Sequence, residues 1–283
     1  AVADRFLRLD RKSLSQFNVY LLLPALFFTT LMKVEVDGIG VLRVAGFTAM
    51  ILSSMAMVGW AWSRFRKLDQ AATSSAVLST TFFNGVNLGF PIAGFAFGER
   101  GLLLASVLVA VNALPHNGIG MFIAARGALS TSETFRALFR MPFLYVIALA
   151  LLLRVTGMSV PGSVMKPIES LGMAALPFTL VCIGMELARL ELGRPNVTVT
   201  GLVLLRLLLA PLVAIGAAQI AGLSGLLRDV VILQASMPSA IAPIVYARCF
   251  GGNVDLLSKV AFYSTIGSLV SLPFLLRYLG AGN

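Results

Sequence analysis

Apolar residues fill nine long stretches of this chain, and most of its polar and charged residues collect between them. The stretches fall at 14–33, 41–62, 72–97, 101–124, 142–156, 168–188, 197–221, 228–249 and 257–279. About 20 apolar residues at 1.5 Å rise cross the hydrocarbon of a bilayer. The pattern therefore predicts a polytopic, all-α membrane protein with nine spans, the fifth a thin or tilted one.

Two spans carry residues that break a helix. The third carries N-G-V-N-L-G-F-P-I-A-G-F-A-F, from Asn84, with Gly98 just past its end, and the eighth contains I-L-Q-A-S-M-P-S-A-I-A-P, with Pro238 and Pro243. In hydrocarbon every backbone N–H and C=O needs a partner, so a broken helix persists only inside protein or beside a water-filled cavity. Pro91 removes one donor and clashes with the turn before it, while Gly85 and Gly89 let the chain leave helical angles. After each break a new half-helix begins, with Pro91 or Pro243 near its first turn. Its unsatisfied N–H groups and positive dipole end suit an anion without any buried Lys or Arg. The side chains at the breaks, Asn84, Asn87, Ser236 and Ser239, are uncharged donors and acceptors of the kind that hold a carboxylate. A plainer reading is that Pro and Gly only kink packed helices. One such segment divides the two readings evenly, whereas two at matching positions favour a binding site.

The chain also resembles itself. Pro24 answers Pro177, Pro91 answers Pro243, and Phe97-Gly98 answers Phe250-Gly251, all at a spacing near 152 residues. That shift lays spans one to four on spans six to nine and leaves the partner of span five upstream of residue 1. A full set would be five spans plus five, and an odd number per repeat makes the halves inverted. On this reading residues 1–125 are a first repeat lacking its first helix, 126–141 a connection, and 142–283 the second repeat.

Composition sharpens this picture. With 58% hydrophobic and 12% charged residues and a mean hydropathy of +0.91, the chain is unlike a soluble domain. The net charge of +10 does not point to nucleic acid, because the basic residues sit singly or in short groups between apolar runs. Of the 22 Lys and Arg, fourteen fall on the side of residue 1, seven on the other, and Arg206 in mid-span. The richer side is expected to be cytoplasmic, which puts residue 1 inside and the C-terminus outside a cell (inner) membrane. In the connection, Phe135, Leu138 and Phe139 share one helical face after Ser130-Thr131-Ser132-Glu133, so either a short interfacial helix or an ordinary linker is expected. Cys182 and Cys249 lie in apolar runs and are expected to stay reduced. No ligand spacing suggests a metal or another cofactor.

The segments around the breaks, F-F-N-G-V-N-L-G-F-P-I-A-G-F-A-F-G from Phe82 and A-S-M-P-S-A-I-A-P-I-V-Y-A-R-C-F-G-G from Ala235, resemble the auxin efflux carrier family. That family includes plant auxin carriers and bacterial relatives described as malonate or malate transporters. L-S-Q-F-N-V-Y-L-L-L-P-A-L-F-F-T-T-L, from Leu14, is similar to its second helix. The resemblance covers nearly the whole chain. It implies ten helices in two inverted repeats, a scaffold and a transport domain, two broken helices that cross, elevator-like movement and a homodimer. Against that pattern the first helix is expected upstream of residue 1, and the connection is short.

Other polar residues lie in or near the spans. His116, the one His, sits one turn after Asn112. It is a candidate for proton coupling, or a neutral side chain bonded to a neighbouring helix. Asn112 joins the candidate substrate-binding residues with Asn84, Gly85, Asn87, Gly89, Pro91, Ser236, Pro238, Ser239 and Pro243. Arg206 could attract an anion, pair with Glu186 or reach the interface. Its distance in sequence from both breaks favours the structural roles. No Asp or Glu falls clearly in mid-span, which weakens a carboxylate relay or sodium site. Gln234-Ala-Ser-Met-Pro also lacks the acidic-Gly-x-Gln-Asn pattern of the bile-acid symporter architecture. Ala210, Ala214 and Ala218 make a small-residue stripe for close packing. Asn196-Val-Thr matches a glycosylation acceptor by chance.

The expectation is a secondary active transporter of small organic anions such as malonate, malate or auxin-like acids, working by alternating access. Alternatives are a sodium-coupled symporter of the bile-acid type, or a receptor or channel. An enzyme is not expected, since neither G-x-S-x-G nor H-E-x-x-H occurs, and ATP drive lacks a G-x-x-x-x-G-K-[ST] loop.

Overall fold

The computed structural model describes residues 11–125, 142–187, 193–250 and 252–280. The expected interfacial helix at 126–141, with Phe135, Leu138 and Phe139, lies outside the described residues. The described part is helical apart from turns, short extended links and one isolated β-bridge. In chain order, α1 runs through Arg11–Phe17, Asn18–Leu22 and Leu23–Lys33, and α2 is Gly38–Phe65. Helix α3 is Gln70–Thr81; after a break, α4 covers 85–97 and α5 covers 99–125. Then come α6 (Pro142–Thr156), α7 (Gly162–Leu187) and α8, which joins Val197–Leu204, Leu205–Leu209 and Ala210–Ile220. Last are α9 (Gly225–Ala235), α10 (Ala242–Phe250) and α11 (Val254–Tyr278).

Polar residues start several of these helices. Asp37 accepts the Gly40 N–H at 2.7 Å, Asp69 that of Ala72 at 2.7 Å, and Asn253 that of Leu256 at 2.9 Å, each satisfying a donor that the first turn leaves over. Asn196 does the same for Val199 at 2.9 Å, which gives the residue of the chance glycosylation match a capping role. The division between α4 and α5 falls at Gly98, whose φ of 64° is open to glycine and costly for other residues.

Proline shapes the interiors. Four stretches are wound as wider π-helix: Asn18–Leu22, Gly85–Gly89, Pro115–Ile119 and Leu205–Leu209. Three of them end two residues before Pro24, Pro91 or Pro211, and the fourth begins at Pro115. Proline lacks an N–H and crowds the carbonyl four residues back, and a widened turn relieves that crowding without ending the helix.

The chain forms two compact units, each drawing on two separate stretches of the sequence. One takes the described residues up to 35 together with 142–187 (α1, α6 and α7). Within it, buried Asn18 donates to Thr179 Oγ1 at 2.9 Å and Lys33 pairs with Glu169 at 3.1 Å. Arg154 donates to the carbonyls of Leu31, at 2.7 Å, and Val34, closing the end of α1. The other unit takes 36–125 and 193–280 (α2 to α5 and α8 to α11). There α8 packs against α2 and α9, and its small face, Ala210, Ala214, Ala217 and Ala218, is buried. Side chains left exposed include Trp60, Leu204, Leu208, Leu212, Leu269, Val270 and Phe274. Large apolar side chains on the outside of apolar helices are what lipid contact requires. Five of the described helical stretches are long and apolar enough to cross a membrane: Gly38–Phe65, Gly85–Ala113, Gly162–Cys182, Val197–Ile220 and Val254–Tyr278. The molecule is a polytopic helical membrane protein, as the hydropathy pattern predicts.

Candidate functional site: the meeting of two broken helices

Both interruptions predicted from sequence are present, and they meet. Helix α3 stops at Thr81, and Phe82 turns extended at φ −97°, ψ 122°. Helix α9 stops at Ala235, and α10 begins at Ala242. Between them Phe83 and Ser239 form an antiparallel bridge. The Asn84 N–H donates to the Pro238 carbonyl and the Ala240 N–H to the Phe82 carbonyl, both at 2.8 Å. The breaks thus satisfy part of each other's backbone in a region where unpaired groups are costly.

The carbonyls released at the ends of α3 and α9 have another partner. Arg206, on α8, is fully buried. Its Nη1 donates to the Thr80 carbonyl at 2.8 Å, its Nε to that of Met237 at 2.9 Å, and its Nη2 to that of Ala235. The guanidinium also stands 5.6 Å over the centre of the Phe83 ring. Sequence distance from both breaks was a poor guide: the structure puts Arg206 directly at them, bound to backbone carbonyls of both. Glu186, one of the alternative partners, has a side chain outside the described ones. The usable signals in the sequence were a lone mid-span charge and Pro211, which sets the π-wound turn that carries Arg206.

On the other side of each break a half-helix begins. Pro91 lies in the first turn of Phe90–Leu114 and Pro243 in the first turn of α10, both buried. Asn84 is buried; its carbonyl accepts from Leu88 at 3.2 Å and Gly89 at 3.0 Å, while its side-chain Nδ2 has no partner. Ser239 is buried too; its N–H donates to Ser264 Oγ at 3.1 Å and its own Oγ has no partner. Ser236 differs from expectation, because its hydroxyl donates back to the Ile232 carbonyl at 2.7 Å. Asn87 is half-buried.

Sequence reasoning passed over two residues here. Gln234, the last side chain but one of α9, is fully buried, and neither its Oε1 nor its Nε2 has a partner. It lies on the glycine face of the π-wound turn. A Cβ at Gly85 would come 2.9 Å from Gln234 Oε1, and one at Gly89 would collide with the amide. Thr81 Oγ1 is likewise buried without a partner. Among the described residues, buried side-chain polar atoms without partners belong to Trp62, Thr81, Asn84, Asn112, Gln234 and Ser239, so four of the six residues flank the two breaks. Each such group costs about 1–3 kcal/mol, and native structures keep them where a ligand or water completes them.

Two candidates lie on α5. Asn112 is buried with Oδ1 unpartnered. His116 lies in the π-wound stretch Pro115–Ile119, its ring 4.7 Å from that of Phe82. It therefore packs edge-on against the first break.

Against known sequences, the profile of the family described as "Membrane transport protein" matches residues 5–128 and 126–276. The chain belongs to this family of membrane transporters, which includes the auxin efflux carriers. An uncharacterized transporter of Methanothermobacter thermautotrophicus is 28% identical over 93% of this chain and 87% of its own length. Another, from Methanocaldococcus jannaschii, is 22% identical over 92% of this chain and 86% of its own. Auxin efflux carrier component 1 of Arabidopsis thaliana is 29% identical over 42% of this chain, which is 19% of the plant protein. Family membership makes the chain a multi-pass membrane transporter, and the quoted segments at the breaks are where the resemblance was first legible.

Proposed function

We propose that the protein is a secondary active transporter of small organic anions, with the carboxylate held beside the bridge between the two broken helices. The observation that carries this reading is the pairing of two half-helix N-terminal ends with buried, unpartnered donors, Asn84 Nδ2 and Ser239 Oγ. Each N-terminal end contributes roughly half a positive charge, and neutral donors add hydrogen bonds without the cost of burying a Lys. Gly85, Gly89, Pro91, Pro238 and Pro243 shape the ends; Asn87, Asn112 and Ser236 complete the candidate lining. Malonate, malate and auxin-like indole acids are the candidate substrates.

In this mechanism the unit of α2 to α5 and α8 to α11 is the transport domain and the unit of α1, α6 and α7 the scaffold. Elevator movement of one against the other gives alternating access, and two chains form a homodimer in the cell membrane with residue 1 on the cytoplasmic side. His116 is the candidate for proton coupling. The test is substrate binding to the purified protein with Asn84→Ala and Asn87→Ala. Weakened binding at an unchanged melting temperature is expected, and unchanged affinity in both variants would remove this site.

A further inference from the structure

We propose that the protein carries a binding site for the headgroup of an anionic phospholipid, built where α2 ends and α8 begins. Both helices are among those long and apolar enough to cross a membrane, so these ends lie at its boundary. Arg64, Arg66 and Lys67 stand at the end of α2, Arg194 stands in the link that enters α8, and all four are exposed. Arg66 Nε donates to Thr198 Oγ1, in the first turn of α8, at 3.4 Å, which ties the two stretches together. None of the four has an ion-pair partner among the described residues. The Asp69 carboxylate that follows them is taken up by the Ala72 N–H. Lys259 is different: it lies in α11, which packs on the start of α8, and Asp255 pairs with it at 2.7 Å. The positive end of the α8 dipole adds to the four unpaired charges.

The backbone at Lys67 gives its charge a purpose. Its φ of 52° is the one positive value of a non-glycine residue among the described residues. The Lys67 N–H donates to the Arg64 carbonyl at 3.1 Å and the Leu68 N–H to that of Ser63 at 3.0 Å, the pattern that closes a helix through a left-handed residue. Glycine takes that position at least cost, so a lysine there gives up stability for a charge. Guanidinium and ammonium groups together match a phosphodiester. A lipid fits better than a free anion, because apolar surface adjoins the charges. Trp60 and Phe65, 54% and 74% exposed, lie on the last turns of α2, where the glycerol and upper acyl chains of a bound lipid would run.

The test reads stability and is separate from any transport activity. The melting temperature of the purified full chain is measured in neutral detergent with added phosphatidylglycerol, with phosphatidylcholine of the same acyl chains, and with inorganic phosphate. Phosphatidylglycerol is expected to raise it several degrees above phosphatidylcholine, and by less in high salt, while phosphate alone does little. Arg66→Gln and Arg194→Gln are expected to lose most of that gain. Arg277→Gln removes an exposed charge in the last turn of α11, at its far end, and is expected to keep it. Lys67→Gly separates charge from fold. Without lipid it is expected to melt at or above the wild-type temperature, because glycine relieves the left-handed strain, and still to gain less from phosphatidylglycerol. Equal stabilisation by the two lipids, or by phosphate, would overturn the proposal. So would a full wild-type gain in all three cluster variants, or an equal loss of gain in Arg277→Gln.

Discussion

Gly89 sits where no side chain fits, since a Cβ there would run into the Gln234 amide. Gly89→Ala is expected to cost about 1–3 kcal/mol, the usual range for overpacking. Gln234→Ala in the same chain should restore most of that loss, and a double-mutant cycle in chemical denaturation reads the coupling. Asn84 behaves differently. Its backbone holds the bridge, but its side-chain Nδ2 bonds nothing in the protein. Asn84→Ala should leave the melting temperature within a degree or two. A lost hydrogen bond to a carboxylate, worth about 1.5–3 kcal/mol, should weaken substrate binding roughly 10- to 150-fold, as titration calorimetry would show. At this scale the sequence was partly legible. Asn84 and Ser239 could be found because polar residues beside Pro and Gly in an apolar run need a reason. Gln234 was missed, and Arg206, read as structural, was placed away from the breaks, because their contacts lie far along the chain: Arg206 is 126 residues from Thr80 and 29 from Ala235.

Among the elements, the prolines govern local winding. Pro24, Pro91 and Pro211 each follow a π-wound stretch by two residues. Pro211→Ala therefore tests whether winding or propensity matters more. Alanine is better than proline in a helix interior by about 3 kcal/mol, so propensity alone predicts a more stable protein. We expect the reverse, a lower melting temperature, because relaxing the π-wound turn rotates Arg206 away from its three carbonyls. A higher melting temperature would mean that the turn is not what aims Arg206. The spans themselves were legible, and α6 runs from Pro142 to Thr156 as the hydropathy pattern gives it. Both breaks were legible from Pro and Gly. The widened turns were not, because sequence periodicity over so few residues does not separate 3.6 residues per turn from a locally wider winding.

For the whole molecule, sequence order hides the grouping that matters. Each compact unit takes helices from both halves of the chain, so neither corresponds to a continuous half of the sequence. In the smaller unit, the buried Asn18–Thr179 pair spans 161 residues and ties α1 to α7. Its double-mutant cycle to Ala should give a coupling of about 0.5–1.5 kcal/mol, the net value of a hydrogen bond in folding. A coupling near zero would show that the pair is incidental to packing. Family membership fixes the class as membrane transporter, and the crossing supplies a reason for an anionic substrate. The most direct test of that claim is counterflow of labelled malonate in proteoliposomes holding the full chain, with a panel of unlabelled carboxylic acids as competitors. The account predicts saturable uptake that internal unlabelled substrate accelerates and that at least one carboxylic acid suppresses. Uptake that never saturates and ignores internal substrate, or none driven by any acid of the panel, would contradict it.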